Sequence, residues 1–199
     1  MFLPLYDPLV RLMGFDRAGQ ELISLANIEP GHHVLDVGCG TGSLIVMLKR
    51  QYPGLQVVGI DPDPKALQRA RAKTRRAADS VQLDQGFADE LPYKEASFDR
   101  VLSSFMFHHL EEDERERASR EVLRVLKPGG SFHLLDFVAG DGPQGFFERL
   151  VGGHALMESN TDERLLQLIR RAGSTNVTIV KKGSMLFGVM RTSYFRATA

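Results

Sequence analysis

The chain of 199 residues holds a single cysteine, Cys39. No internal disulfide can form, and no cysteine-based metal cluster can assemble. Such usage fits a reducing compartment. Neither sign of charge is in excess, since 25 Lys+Arg balance 25 Asp+Glu. The basic footprint of nucleic-acid binders is therefore missing from the total. Arg69, Arg71, Lys73, Arg75 and Arg76 crowd together, but helical spacing spreads them around a solvated face. Long apolar runs are lacking too. Pro4, Asp7, Pro8 and Arg11 break the N-terminal stretch, so it has no continuous apolar core of the signal-peptide kind. Nothing approaches the roughly 18 apolar residues of a membrane-spanning helix. The expectation is a cytoplasmic protein without nucleic-acid partners or stable membrane insertion. Repeats, low-complexity tracts and linkers are absent, and the length suits one domain around one substantial core.

What is present centres on Val34-Leu35-Asp36-Val37-Gly38-Cys39-Gly40-Thr41-Gly42. Val34 to Val37 reads as a short buried strand, the glycines as a tight turn, and Ser43 to Tyr52 as the following helix. Glycines let a backbone approach a small molecule closely, and the helix start behind them offers unpaired N–H groups.

The rest of the chain repeats that rhythm. Met1 to Phe15 is apolar and suits a helix lying over the domain; with a second helix, N-capped by Asp16, it forms an expected helical cap over residues 1–29. Strands are expected at Gln56–Ile60, Ser80–Leu83, Phe98–Ser104 and Ser131–Phe137. Helices fall between them: one capped by Asp63 and running to about Ala78, and one from Glu112 to Leu126 that stops at Lys127-Pro128-Gly129-Gly130. Residues 139–160 break the pattern and read as an inserted flap over the site. A helix over Asp162–Ala172 follows, then Asn176–Lys181 and Ser184–Tyr194, read as antiparallel strands turning at Lys182-Gly183. Alternating strand and helix argues for a mostly parallel sheet with helices on both faces, an α/β fold.

In such a sheet ligands bind outside the carboxyl ends of the strands. Those ends carry Gly38, Gly40 and Gly42; Asp61; Phe87, Ala88 and Asp89; Ser103 and Ser104, followed by Phe105 to His109; and Asp136. Asp61 lies at the spacing after the glycine turn where a carboxylate meets ribose hydroxyls, with Asp63 as its competitor.

With these residues assembled, the chain resembles a class I S-adenosylmethionine-dependent methyltransferase of the small-molecule kind, often called methyltransferase type 11. VLDVGCGTG (34–42), VVGIDPD (57–63), the LPY…SFDRV stretch (91–101) and LRVLKPGG (123–130) match in order and spacing. The resemblance implies a Rossmann-like sheet of seven strands with a reversed final strand. It implies that Gly38, Cys39, Gly40 and Gly42 lie against the methionine part of S-adenosylmethionine, with Asp36 positioning that loop. Asp61 would take both ribose hydroxyls, with Pro62 beside it. Ala88 would face the adenine edge, and Ser104 and Phe105 would line the methionine end. Family members carry Gly-Asp-Ala before the Leu-Pro pair, with the aspartate accepting from the adenine amino group; that position is Phe87 here. Either Asp89 substitutes, or Phe87 stacks and another group accepts.

Methyl transfer needs positioning above all, and a base only if the nucleophile starts protonated. His108 and His109 stand where the methyl would point, and either suits a base near neutral pH. Asp136 suits orienting a histidine or binding a polar acceptor, and His133 reads as structural. No Asn/Asp-Pro-Pro-aromatic run of nucleic-acid amino-methylating enzymes follows the fourth strand, and no Asp-Asn pair suggests a magnesium site. The expectation is metal-independent transfer to oxygen, nitrogen or carbon of a small metabolite. Three alternatives stand beside it. One is a non-catalytic S-adenosylmethionine-binding protein, and another a methyltransferase for a lipid-soluble, quinone-type acceptor. The third, a nicotinamide-dependent oxidoreductase, is disfavoured because the third glycine is fifth, not sixth, in the motif.

Overall fold

The computed structural model describes residues 14–75, 81–139, 160–185 and 190–198. In chain order these form α1 (Phe15–Leu25), β1 (His33–Val37), α2 (Ser43–Gln51), β2 (Gln56–Asp61), α3 (Pro64–Thr74), β3 (Val81–Gln85), β4 (Phe98–Ser104), a single 3-10 turn at Phe107–His109, α4 (Glu112–Val125), β5 (Leu126–Phe137), α5 (Asp162–Arg171), β6 (Asn176–Met185) and β7 (Met190–Thr198). The seven strands lie in the order β3-β2-β1-β4-β5-β7-β6. All neighbours pair in parallel except β7, which runs antiparallel to both β5 and β6. This is the Rossmann-like arrangement, and the order in which successive strands are added reverses between the parallel β1 and β4, where a crevice opens at the strand ends.

Side-chain alternation divides the core into two layers. Leu35, Val101, Phe132 and Leu134 pack on one face with Ala118 and Val122 of α4 and Leu165 and Ile169 of α5. Val34, Leu102, Leu135 and Phe137 pack on the other with Leu22 and Ile23 of α1 and Ile45 and Leu48 of α2. Each fully buried aliphatic or aromatic side chain is worth roughly 1.5–3 kcal/mol, so the central strands are firmly held. That rigidity matters because the loops at their ends carry the chemistry.

Helix starts follow local chemistry. Asp63 caps α3 by accepting the N–H of Lys65 at 2.8 Å, and Pro64 occupies the first turn, where a missing N–H costs nothing. At α4 the Glu114 carboxylate reaches back to the Glu111 N–H at 2.9 Å.

Several sequence expectations need correction. Asp16 does not cap α1; Gly14 holds that position at φ 91°, a left-handed angle suited to glycine, and Asp16 sits inside the first turn. Lys127 to Gly130 do not separate helix from strand. They bulge within β5 opposite Asp99, where the register with β4 shifts between Phe98 and Arg100. Lys182-Gly183 is no turn either. Both residues stay in β6, where Lys182 pairs with Ser193 and Gly183 with Thr192. A Cβ at Gly183 would sit 3.0 Å from Thr192 Oγ1, so this glycine marks a close cross-strand approach. The helical cap expected over 1–29 is described only from α1 onward; residues 1–13, and 140–159 of the expected flap, lie outside the described residues.

Candidate active site

The turn after β1 is built by three glycines at left-handed angles: Gly38 (φ 73°), Gly40 (φ 51°) and Gly42 (φ 76°). Gly38 and Cys39 donate to the Ile60 carbonyl at 2.9 and 3.0 Å, which ties the turn to β2. Asp61, the last residue of β2, closes the arrangement. Its Oδ2 accepts the Gly40 N–H at 2.8 Å, and its Oδ1 accepts the Asp63 N–H at 2.9 Å. The acid and the glycine turn therefore share one rim of the sheet. Gly42 caps α2 and touches α3 so closely that an added Cβ would lie 2.9 Å from Ala70 Cβ.

A cavity of about 410 Å³ opens there. Of the residues singled out in the sequence, Gly38, Cys39, Gly40, Asp61, its competitor Asp63, Ser104, Phe105, Met106 and His109 line it. Asp36 lies in β1, almost fully buried, and neither of its oxygens has a hydrogen-bond partner. Burial, with Asp61 adding to it, pushes its carboxyl up to about 7. The Cys39 thiol is likewise pushed up, by burial first and then by Asp36 and Asp61, so it is not poised as a nucleophile.

Other residues fall outside the cavity lining. The Pro62 carbonyl accepts from Gln85 Nε2 at 3.2 Å. Phe87 is 65% exposed, an apolar ring turned to solvent. Ala88 packs against the core layer beneath α4. Asp89 is engaged by Arg117, whose Nε stands 3.1 Å away.

The two histidines separate sharply. His108 is buried, and its Nδ1 lies 2.5 Å from Asp136 Oδ1. The fully buried Asp136 also accepts the backbone N–H of His108 at 2.8 Å through Oδ2, and that of Phe137 at 2.8 Å through Oδ1. Facing a carboxyl oxygen, Nδ1 is the ring's donor in this contact, which turns Nε2 away from Asp136. His109 faces the cavity, its ring 4.0 Å from that of His108. Burial lowers its pKa first, His108 lowers it further, and Asp136 opposes. His133 is buried within β5 with Nε2 2.9 Å from Ser131 Oγ; burial, then Arg196 and Arg100, push it down to about 3.

Sequence reasoning missed part of the wall. Phe15, Phe105 and Phe137 form an aromatic cluster with centroids 4.7 Å (15–105), 6.1 Å (15–137) and 4.6 Å (105–137) apart, and the His108 ring lies 5.3 Å from Phe137. Phe105 holds φ 55°, uncommon for a bulky residue, which turns its ring into this cluster. Met106 fills the space beside Gly38. The sequence suggests a pocket built from residues 1–15, Phe105 to His109 and the flap; the ring contact of Phe105 with Phe137 was not foreseen.

The residues present fit an adenosyl-methionine ligand on three counts. The backbone cradle is open at Gly40, where an added Cβ meets nothing within 4 Å. Asp61 lines the cavity with one hydrogen bond accepted on each oxygen. Asp36 is a buried carboxylate lacking a partner. Among the described residues no group of three His, Cys, Asp or Glu side chains could hold a metal ion, and no helix is long and apolar enough to cross a membrane.

Residues 34–130 match the family model described as a methyltransferase domain. The demethylmenaquinone methyltransferase of Thermus thermophilus is 36% identical over 137 residues, covering 67% of this chain and 61% of that protein. The chain thus spans little more than half the length of the first curated relatives it matches, 61%, 56% and 55%. Among solved structures, the YcgJ protein of Bacillus subtilis superposes with a TM-score of 0.74 at 19% identity, covering 91% of this chain and 97% of that one. Phosphoethanolamine N-methyltransferase 2 of Haemonchus contortus, solved with S-adenosylhomocysteine, gives 0.76 at 16% identity, covering 92% and 52%.

Proposed function

From the match of residues 34–130 to the methyltransferase-domain model, we propose that the chain is a class I S-adenosylmethionine-dependent methyltransferase and transfers a methyl group to a small-molecule acceptor. The observation that carries the proposal is the shared rim. Asp61 is bonded to Gly40 above a cavity that also reaches Ser104, Phe105 and His109. When bound, S-adenosylmethionine supplies a methyl group activated by the sulfonium, which leaves as a neutral thioether. Asp61 would hold the ribose, the glycine turn, positioned by Asp36 behind it, would hold the methionine end, and Ser104 and Phe105 would border the reacting side. His108, whose ring abuts that of the cavity-lining His109, would take the acceptor's proton on Nε2 while Asp136 keeps the ring oriented through Nδ1. His109, at the cavity wall, meets the acceptor directly. No metal enters this scheme.

A second reading concerns the acceptor. The ring cluster of Phe15, Phe105 and Phe137 beside the cavity favours a flat aromatic or quinone-type acceptor over a small charged one, since offset and edge-to-face ring contacts add to apolar burial. The name of the Thermus relative points the same way.

Two measurements test the function. S-adenosylmethionine or S-adenosylhomocysteine should raise the melting temperature where NAD does not. Radiolabelled methyl transfer to a panel of hydroquinones and phenols should then show product, and His108→Gln should lower its rate by about 10²–10⁴-fold while cofactor affinity stays within twofold. Cofactor binding without product across a broad panel would instead favour a non-catalytic binding protein.

A further inference from the structure

The run Glu112-Asp113-Glu114-Arg115-Glu116-Arg117 opens α4 as a string of charges, yet Arg115 within it is 3% exposed. A buried guanidinium is expensive unless its donors and its charge are matched. The matches are specific. Arg115 Nε donates to the Leu110 carbonyl at 2.8 Å, and its Nη1 donates to Asn160 Oδ1 at 3.1 Å. Leu110 closes the 3-10 turn that carries His108, its N–H bonded to the Phe107 carbonyl at 3.0 Å. Asn160 is fully buried; its Nδ2 donates to the Phe137 carbonyl, and its own carbonyl accepts the Ala139 N–H at 2.9 Å. Phe137 in turn donates its N–H to Asp136.

One planar fork therefore bonds to the residue that closes the turn of His108 and, through Asn160, to the strand end of Asp136, from a helix that contributes neither member of the pair. We propose that Arg115 is a positioning residue for His108 and Asp136, bridging the turn that holds the first to the strand end that holds the second. This deepens the methyl-transfer reading and rests on it for what the pair does. The electrostatics suit the role. Burial lowers the Arg115 pKa, while Asp136, Glu111 and Glu112 hold it up and Arg164 of α5 opposes them. Among the described residues His109 is a further titratable neighbour of the pair. Lysine cannot replace the fork, because an ammonium is a point charge without two fixed donor directions.

The test needs no acceptor. In the full chain labelled with 15N, a long-range imidazole spectrum should show His108 as the Nδ1-H tautomer with a proton protected from exchange, assigned by its loss in His108→Gln. In Arg115→Met that proton should exchange at least about tenfold faster, a change worth one net hydrogen bond. The Leu134 and Leu135 amides in β5 should keep their rates. Arg115→Lys should resemble Arg115→Met. Where Arg115→Met fails to fold, Asn160→Ser breaks the same bridge and should act in the same direction. A wild-type exchange rate in a folded variant overturns the proposal, as does a wild-type His108 without a protected Nδ1 proton. S-adenosylhomocysteine calorimetry on the same samples reads the methyl-transfer proposal separately: failure of the wild-type chain to bind would overturn that reading without altering the spectrum.

Discussion

Replacing Asp61 by asparagine isolates the charge and one acceptor at nearly constant shape. An ionised carboxylate offers about four lone-pair positions. In this structure one on each oxygen is taken, by Gly40 N–H at 2.8 Å and by Asp63 N–H at 2.9 Å. About one per oxygen remains, matching two ribose hydroxyls. Charge-assisted bonds are worth about 1.5–3 kcal/mol each. Asparagine keeps one oxygen and sets an NH2 where the other stood, so one hydroxyl loses its acceptor and the surviving bond loses its charge. The expected loss is about 2–4 kcal/mol, or roughly 30- to 1,000-fold in Kd. The new NH2 also faces a backbone N–H, and leaving that donor unmatched should cost about 1–2 kcal/mol in urea unfolding. One effect runs the other way, because the neutral side chain relieves one of the two upward pushes on Asp36. Calorimetry with S-adenosylhomocysteine reads binding without turnover. A Kd within threefold of wild type in a folded Asp61→Asn protein would refute the ribose assignment and the logic of the rim.

Three further outcomes follow from the geometry. Gly42→Ala should destabilise by about 2–4 kcal/mol, combining a left-handed angle with a Cβ 3.2 Å from the Ala70 backbone, whereas Gly54→Ala, with nothing within 4 Å, should shift the melting temperature little. Asp36 has a folded-state pKa of about 7 against 3.8, so its stabilising protonated form is fully present below pH 3.8 and lost as pH rises through about 7. Urea titrations at pH 4.5 and 7.5 should therefore show Asp36→Asn gaining on wild type with rising pH, by roughly 2–4 kcal/mol; parallel profiles would contradict the burial argument. Asp136→Asn should slow methyl transfer by about tenfold or more, because an amide admits the wrong imidazole tautomer, and a rate equal to wild type would remove Asp136 from the mechanism.

Most of the sheet was legible because its signals are local. Alternation of apolar strands with capped helices predicts a parallel α/β sheet, and β4 has the bounds its pattern suggests, Phe98–Ser104. Where local signals misled, a tertiary contact had overridden them. Lys182-Gly183 has the composition of a turn, yet pairing with Ser193 and Thr192 keeps both residues in β6. Pro128-Gly129-Gly130 has the composition of a loop, yet the β4 partner absorbs it as a bulge. Arg115 sits in a string of charges that the sequence alone does not single out, and the packing of α4 against β5 and Asn160 makes it a buried bridge.

The sequence by itself determined the repertoire: a glycine turn after a buried strand, an acid at the end of the next, a histidine pair after the fourth. Those features depend on neighbours a few residues away, and periodicity and backbone permissiveness express them directly. Only the tertiary structure decided which of those groups meet. It bonded Asp61 to Gly40 across 21 positions and chose His108 over His109 as the partner of Asp136, 28 positions on. It also engaged Asp89 with Arg117 and left Phe87 in solvent. The physical reason is that such pairings are set by strand order and register. Both are properties of the assembled sheet, and no stretch of chain carries them alone.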